Sequence, residues 1–182
     1  RSLDFISDAF IDKMIPSDGI FRVAFDYRSG AFSRGDPISC GQSLYSVLKA
    51  IRFAEKSGGR LDPRKWKRFA VRAADVMSGW ILGDGWKEPA STGPGFMIAP
   101  LVLAGELFGD GKHIAAAKKL AAVFERRYFG YDEVYWGGTL DASCEDKEGA
   151  YAAFQGYEAL LRHAVRTGDK PAERRYARLA RH

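Results

Sequence analysis

An all-α fold of repeated antiparallel helical hairpins is predicted by three observations. Apolar residues recur at helical spacing through most of the 182 residues. Helices with few charges alternate with helices whose outer face is basic, as two stacked layers of helices require. Gly41, Gly95 and Gly149 open equivalent apolar helices and lie 54 residues apart in each case. That period is too long for tetratricopeptide, ankyrin or HEAT repeats.

The elements follow in order. Leu3, Ile6, Phe10 and Met14 share one helical face, so an amphipathic helix is predicted over 3–14, ended by Pro16, Ser17, Asp18 and Gly19. The stretch 20–37 is too long for a plain connector, and the alternation within GIFRVAFDY predicts a short strand or hairpin. A helix over 39–56 follows, with Leu44, Val47, Leu48 and Ile51 on one face and Gly58-Gly59 as a left-handed stop. Asp62-Pro63 reads as N-cap and first-turn proline of a helix reaching about Leu82. Its Trp66, Phe69, Ala73, Met77 and Trp80 face inward, and Arg64, Lys65, Lys67, Arg68 and Arg72 face out.

The pattern then returns twice. A loop over 83–94, an apolar helix over 96–108, a GDGK turn and a basic helix over 113–129 form the second unit. A loop over 130–146, an apolar helix over 147–166, a TGDKP turn and a basic helix running out at His182 form the third. The length suits a single helical-hairpin domain over 1–182.

Composition excludes several classes. No apolar run approaches the roughly 18 to 20 residues of a membrane span. The formal net charge is +5, but the basic residues sit in phase opposite apolar faces, and no helix-turn-helix, zinc-finger or RNP pattern accompanies them. No nucleic-acid or membrane partner is therefore expected, and no compartment is assigned. Cys40 and Cys144 form no CxxC or Cys/His spacing, so both read as small apolar side chains near helix starts. His113, His163 and His182 are scattered, and neither a metal site nor a cofactor is expected. GxxxxGK[ST], GxSxG and HExxH are absent, as is the DDxxD run of terpene cyclases.

Because the helices alternate in direction, the long loops all lie at one end, at the N-termini of the apolar helices, and function is expected there. The alternation resembles the (α/α) toroid of six-hairpin glycosidases and related polysaccharide lyases. A full toroid has six hairpins, whereas this chain holds three pairs plus the opening helix, so an incomplete toroid or a fragment of a longer chain is expected. Completion by missing hairpins, or self-association, should cover the helix faces left bare.

The stretch GTLDASCEDKEGAYAAFQGY (138–157) concentrates acids at the third loop-to-helix junction. Cys144-Glu145-Asp146-Lys147-Glu148-Gly149-Ala150 resembles the acidic inner-helix start of six-hairpin carbohydrate-active proteins, and the resemblance implies that an acid there faces a saccharide pocket. Glycoside hydrolysis needs two carboxyls across the scissile bond. Asp141, Asp146 and Glu148 are the catalytic candidates, although acids in a first helical turn also serve as caps and complement the helix dipole. Trp86, Trp136 and Tyr151 offer flat faces for sugar rings, and Gln42 and Lys147 polar contacts, as saccharide-binding candidates. Asp36, Asp84 and Glu88 add loop carboxylates, and Arg34, Lys87 and Lys147 near helix N-termini favour a uronate-containing ligand. A polysaccharide lyase using Tyr131, Tyr135 or Tyr151 as base is the alternative enzyme, and a helical-hairpin binding or assembly module the alternative without catalysis.

Overall fold

The computed structural model describes residues 17–58, 62–128 and 147–181. The helix predicted over 3–14 lies outside them, as does the second long loop. Among the described residues the fold is mostly helical, with one small two-stranded sheet.

Ile20 and Phe21 are buried ahead of the hairpin, and the Phe21 ring meets Phe69 edge-on at 4.8 Å. Strands β1 (Arg22–Asp26) and β2 (Ala31–Arg34) pair antiparallel, with an irregularity between Arg22 and Ala24. The turn is built by Asp26, whose side chain accepts from the Arg28 N–H, while Gly30 takes φ 67°. The expected hairpin is therefore present, and it projects outward, with Tyr27 91% exposed.

Helix α1 (Pro37–Lys56) starts where Asp36 accepts from the Ser39 N–H at 2.7 Å and Pro37 occupies the first turn. Leu44, Leu48, Ile51 and Ala54 form its buried face, and Gly58 at φ 67° follows its end. Helix α2 (Arg64–Leu82) buries Phe69, Ala73 and Met77 as expected, with Trp66 and Trp80 half-buried against the core. Its start is displaced by one residue from the prediction: Pro63 precedes the first turn, and Asp62 accepts from the Arg64 N–H at 3.0 Å.

A 3-10 turn (Gly93–Met97) leads into α3 (Ile98–Phe108), in which every residue from Ile98 to Gly105 is buried. A helix apolar on all sides must be covered on all sides. It is: α3 packs against α1, α2, α4 and α5. Pro100 stands in its first turn, where a missing N–H breaks no helical bond. Gly109 at φ 71° ends it, and α4 (Gly111–Tyr128) begins two residues later. Helix α5 (Lys147–Thr167) and helix α6 (Lys170–Leu179) are joined by Gly168 at φ 73° and by Asp169, whose side chain accepts from the Ala172 N–H.

The glycine repeat has a packing cause. A Cβ at Gly41 would lie 2.5 Å from the Phe96 carbonyl oxygen, and one at Gly95 would lie 3.3 Å from the Ala152 Cβ. Gly41 thus lets its helix start press against the next one, just beyond Gly95, and Gly95 makes room for the Phe124 ring of α4 as well as for the start of α5. The N-terminal ends of α1, the 3-10/α3 segment and α5 lie side by side, and the rings of Phe96 and Tyr151 are 6.4 Å apart there. At the other end, Glu106 of α3 faces Arg52 of α1 and His163 and Arg166 of α5. The three apolar helices are therefore parallel neighbours, with α2 and α4 packed together outside them.

Candidate functional site

Of the eight sequence candidates, four belong wholly or partly to residues that are not described. Asp141, Asp146 and Trp136 lie outside the described residues, and for Lys147 only its place at the start of α5 is described. Glu148 is exposed in the first turn of α5. Tyr151, one turn on, is 57% exposed, and its hydroxyl accepts from the Gln155 amide at 3.3 Å. Gln42 is exposed one residue past Gly41, which brings it to the same end as Tyr151 through the contact of Gly41 with Phe96. Trp86 is half-buried, and the Lys119 ammonium sits 4.2 Å from its ring centre.

Several loop carboxylates have structural partners. Asp36 caps α1, and Glu88 pairs with Arg126, which with the bond from Arg127 to the Pro89 carbonyl pins the first long loop to the end of α4. Cys40 is fully buried in the first turn of α1, and burial pushes its thiol up.

A second constellation lies where α4 begins beside α2, and sequence reasoning did not find it. His113 is completely buried. Its Nδ1 lies 2.9 Å from Ser78 Oγ, and its Nε2 faces Asp75 Oδ1 at 3.4 Å and Asp110 Oδ2 at 3.9 Å. Neither Nε2 nor Asp75 Oδ1 makes a hydrogen bond of good geometry. The Lys112 ammonium reaches both carboxylates, 2.8 Å from Asp75 Oδ1 and 3.1 Å from Asp110 Oδ2. Asp110 Oδ1 is engaged separately by the Lys112 N–H at 2.9 Å, which is the turn that opens α4. Burial pushes the His113 ring below its ordinary pKa, the two carboxylates oppose this in part, and the Lys112 charge adds to it. Hydrogen bonds from the Lys112 backbone and side chain hold Asp110 below the usual carboxylate range, and the bond to Asp75 leads in raising Lys112.

The only local signal for this cluster is Asp110 and His113 at a separation of three. Ser78 and Asp75 join from another helix, and no spacing rule predicts that meeting.

No protein-family model matches the chain, and comparison with curated proteins and with solved structures finds no match. No helix among the described residues is long and apolar enough to cross a membrane.

Proposed function

We propose that the chain is part of an (α/α) toroid of carbohydrate-active type, and that it acts as a glycoside hydrolase on uronate-containing oligosaccharides. What supports the reading is one arrangement: three parallel apolar helices place their N-termini side by side, with Gln42, Glu148 and Tyr151 exposed at that end. Converging helix N-termini favour an anionic ligand, and an exposed tyrosine ring beside them suits a sugar face. One of Asp141, Asp146 and Glu148 would donate the proton to the leaving oxygen. Alanine variants at the three positions, assayed on uronate oligosaccharides, are expected to include at least one that loses about a hundredfold or more in rate. Wild-type rates in all three would end the assignment, and absorbance from a new carbon–carbon double bond would move it to lyase chemistry.

A specific observation also favours an assembly role. Tyr151 and Phe154 are 57% and 53% exposed on one side of α5, and Val165, 56% exposed, follows on the same side beyond the Glu158–Arg162 ion pair. Large apolar side chains grouped on one helix face mark a surface that associates. Light scattering should then show a mass above that of a single chain, and a monodisperse monomer that binds no apolar dye would remove the association reading.

A further inference from the structure

We propose that Asp75, Asp110 and His113 bind a late first-row divalent cation of the zinc class, which bridges α2 and α4. The inference is independent of the saccharide reading, because the cluster lies at the start of α4 between outer helices, at the opposite end from the inner-helix N-termini.

Three potential ligand atoms, Asp75 Oδ1, Asp110 Oδ2 and His113 Nε2, lie within 4.8 Å of one another. In a tetrahedral zinc site with bonds of about 2.0–2.1 Å, neighbouring ligand atoms stand roughly 3.3 Å apart. The pair His113 Nε2 and Asp75 Oδ1 is already at 3.4 Å, and Asp110 Oδ2, at 3.9 Å from the ring nitrogen, needs only a small approach. Asp110 can make it through Oδ2, since Oδ1 is the oxygen committed to the α4 turn.

The ring itself points to a ligand. The His113 side chain is 1% exposed, yet Nε2 has no hydrogen bond. A buried polar atom left this way is costly. With Nδ1–H donating to Ser78 Oγ, the Nε2 lone pair is aimed at two carboxylate oxygens, an arrangement that is repulsive unless a cation stands between them. With the tautomer reversed, Nε2–H meets Asp75 Oδ1 without hydrogen-bond geometry. A metal ion resolves the first case fully, and ligating histidines are ordinarily oriented by a hydrogen bond from the other ring nitrogen, the place that Ser78 Oγ takes here.

Lys112 shows that the two carboxylates demand positive charge, but its ammonium leaves Nε2 unsatisfied. Its side chain is 46% exposed and can turn into solvent when a metal enters. Two carboxylate oxygens and an imidazole select zinc and its neighbours over magnesium or calcium, which prefer all-oxygen sets.

The test is calorimetric titration of the tag-free, chelator-treated chain with zinc chloride at pH 7. It is run on the wild type and on the variants Asp75→Asn, Asp110→Asn and Lys112→Gln, each checked for native helical content by circular dichroism. The half-exposed positions are chosen because a substitution at buried His113 risks the fold. One zinc ion per chain is expected, with affinity at least about tenfold weaker in each asparagine variant and stronger in Lys112→Gln, where the competing ammonium is gone. The proposal is overturned by absence of saturable binding in both the wild type and Lys112→Gln. It is equally overturned by binding that the asparagine variants leave unchanged, which would place the metal on other histidines.

Discussion

Two clusters in this molecule use the same ingredients and end differently. Around Glu106, one carboxylate, itself 10% exposed, meets Arg52, His163 and Arg166 from the helices on either side. Around His113, two carboxylates, a histidine and a lysine meet between α2 and α4. In the first, the buried acid receives Arg166 and the His163 ring nitrogen at 3.2 Å, and its charge is compensated. In the second, Lys112 lies in ion-pair range of both carboxylates, but Asp75 Oδ1 and the buried ring nitrogen are both left without a hydrogen bond. Residue type therefore does not separate a structural ion-pair knot from a ligand site. Completeness of polar pairing does.

The comparison can be broken most forcefully at Glu106. Glu106→Ala leaves the arginine charges and the His163 ring facing a buried hole, a change that costs several kcal/mol when fully buried. Because Arg52 and Arg166 are about half exposed and partly rescued by solvent, the expected loss is about 2 kcal/mol in urea unfolding. Burial pushes the Glu106 carboxyl up, but the bond and charge of Arg166, aided by His163, outweigh it and hold the group below its ordinary value. A depressed folded-state pKa means that the stabilisation is present above the unfolded-state pKa and is lost as pH falls through the folded-state value. The stability gap between wild type and Glu106→Gln should accordingly be full at pH 7 and shrink on acidification below the ordinary glutamate range. A gap that stays constant with pH would mean that the knot is held by packing rather than charge.

A smaller effect sharpens the other side. Ser78→Ala removes the partner of His113 Nδ1 and leaves both ring nitrogens buried without hydrogen bonds, at an expected loss of about 1.5 kcal/mol. Adding zinc to that variant should restore less stability than it adds to the wild type, since the ring is no longer oriented by Ser78. Equal stabilisation of the two by zinc would show that Ser78 plays no part in presenting Nε2.

Much of the fold was legible in the chain. The hairpin within 20–37, the stop at Gly58, the tight turns before α4 and α6 and the alternation of apolar and basic helices are all local signals, written in residues within a few positions of one another; Asp36, read as a loop carboxylate, is instead the cap of α1. The repeat of 54 was legible too, and it has a packing counterpart: a Cβ at Gly41 would strike the next helix start, and one at Gly95 would crowd Phe124 and Ala152. The site was far less so. Glu88 reads in sequence like any loop acid, and only the fold gives it Arg126. Tyr151 and Gln42 share an end of the molecule because of contacts through Phe96, whereas the acids over 141–146 lie outside the described residues.

The sequence by itself determined where helices start, stop and turn their apolar faces, because capping, turn chemistry and periodicity act over one or two helical turns. Only the tertiary structure decided how the helices slide against one another. Inner helices α1 and α3 keep the sequence repeat, as Arg52 and Glu106, 54 residues apart, show, and α3 and α5 depart from it only slightly, Glu106 meeting His163 at 57. The outer pair does not: Lys119 bonds to Ile81, Arg126 to Glu88 and His113 faces Asp75, all at a separation of 38. That register is set by side chains interlocking between distant segments, and it is what brings a buried imidazole to two carboxylates.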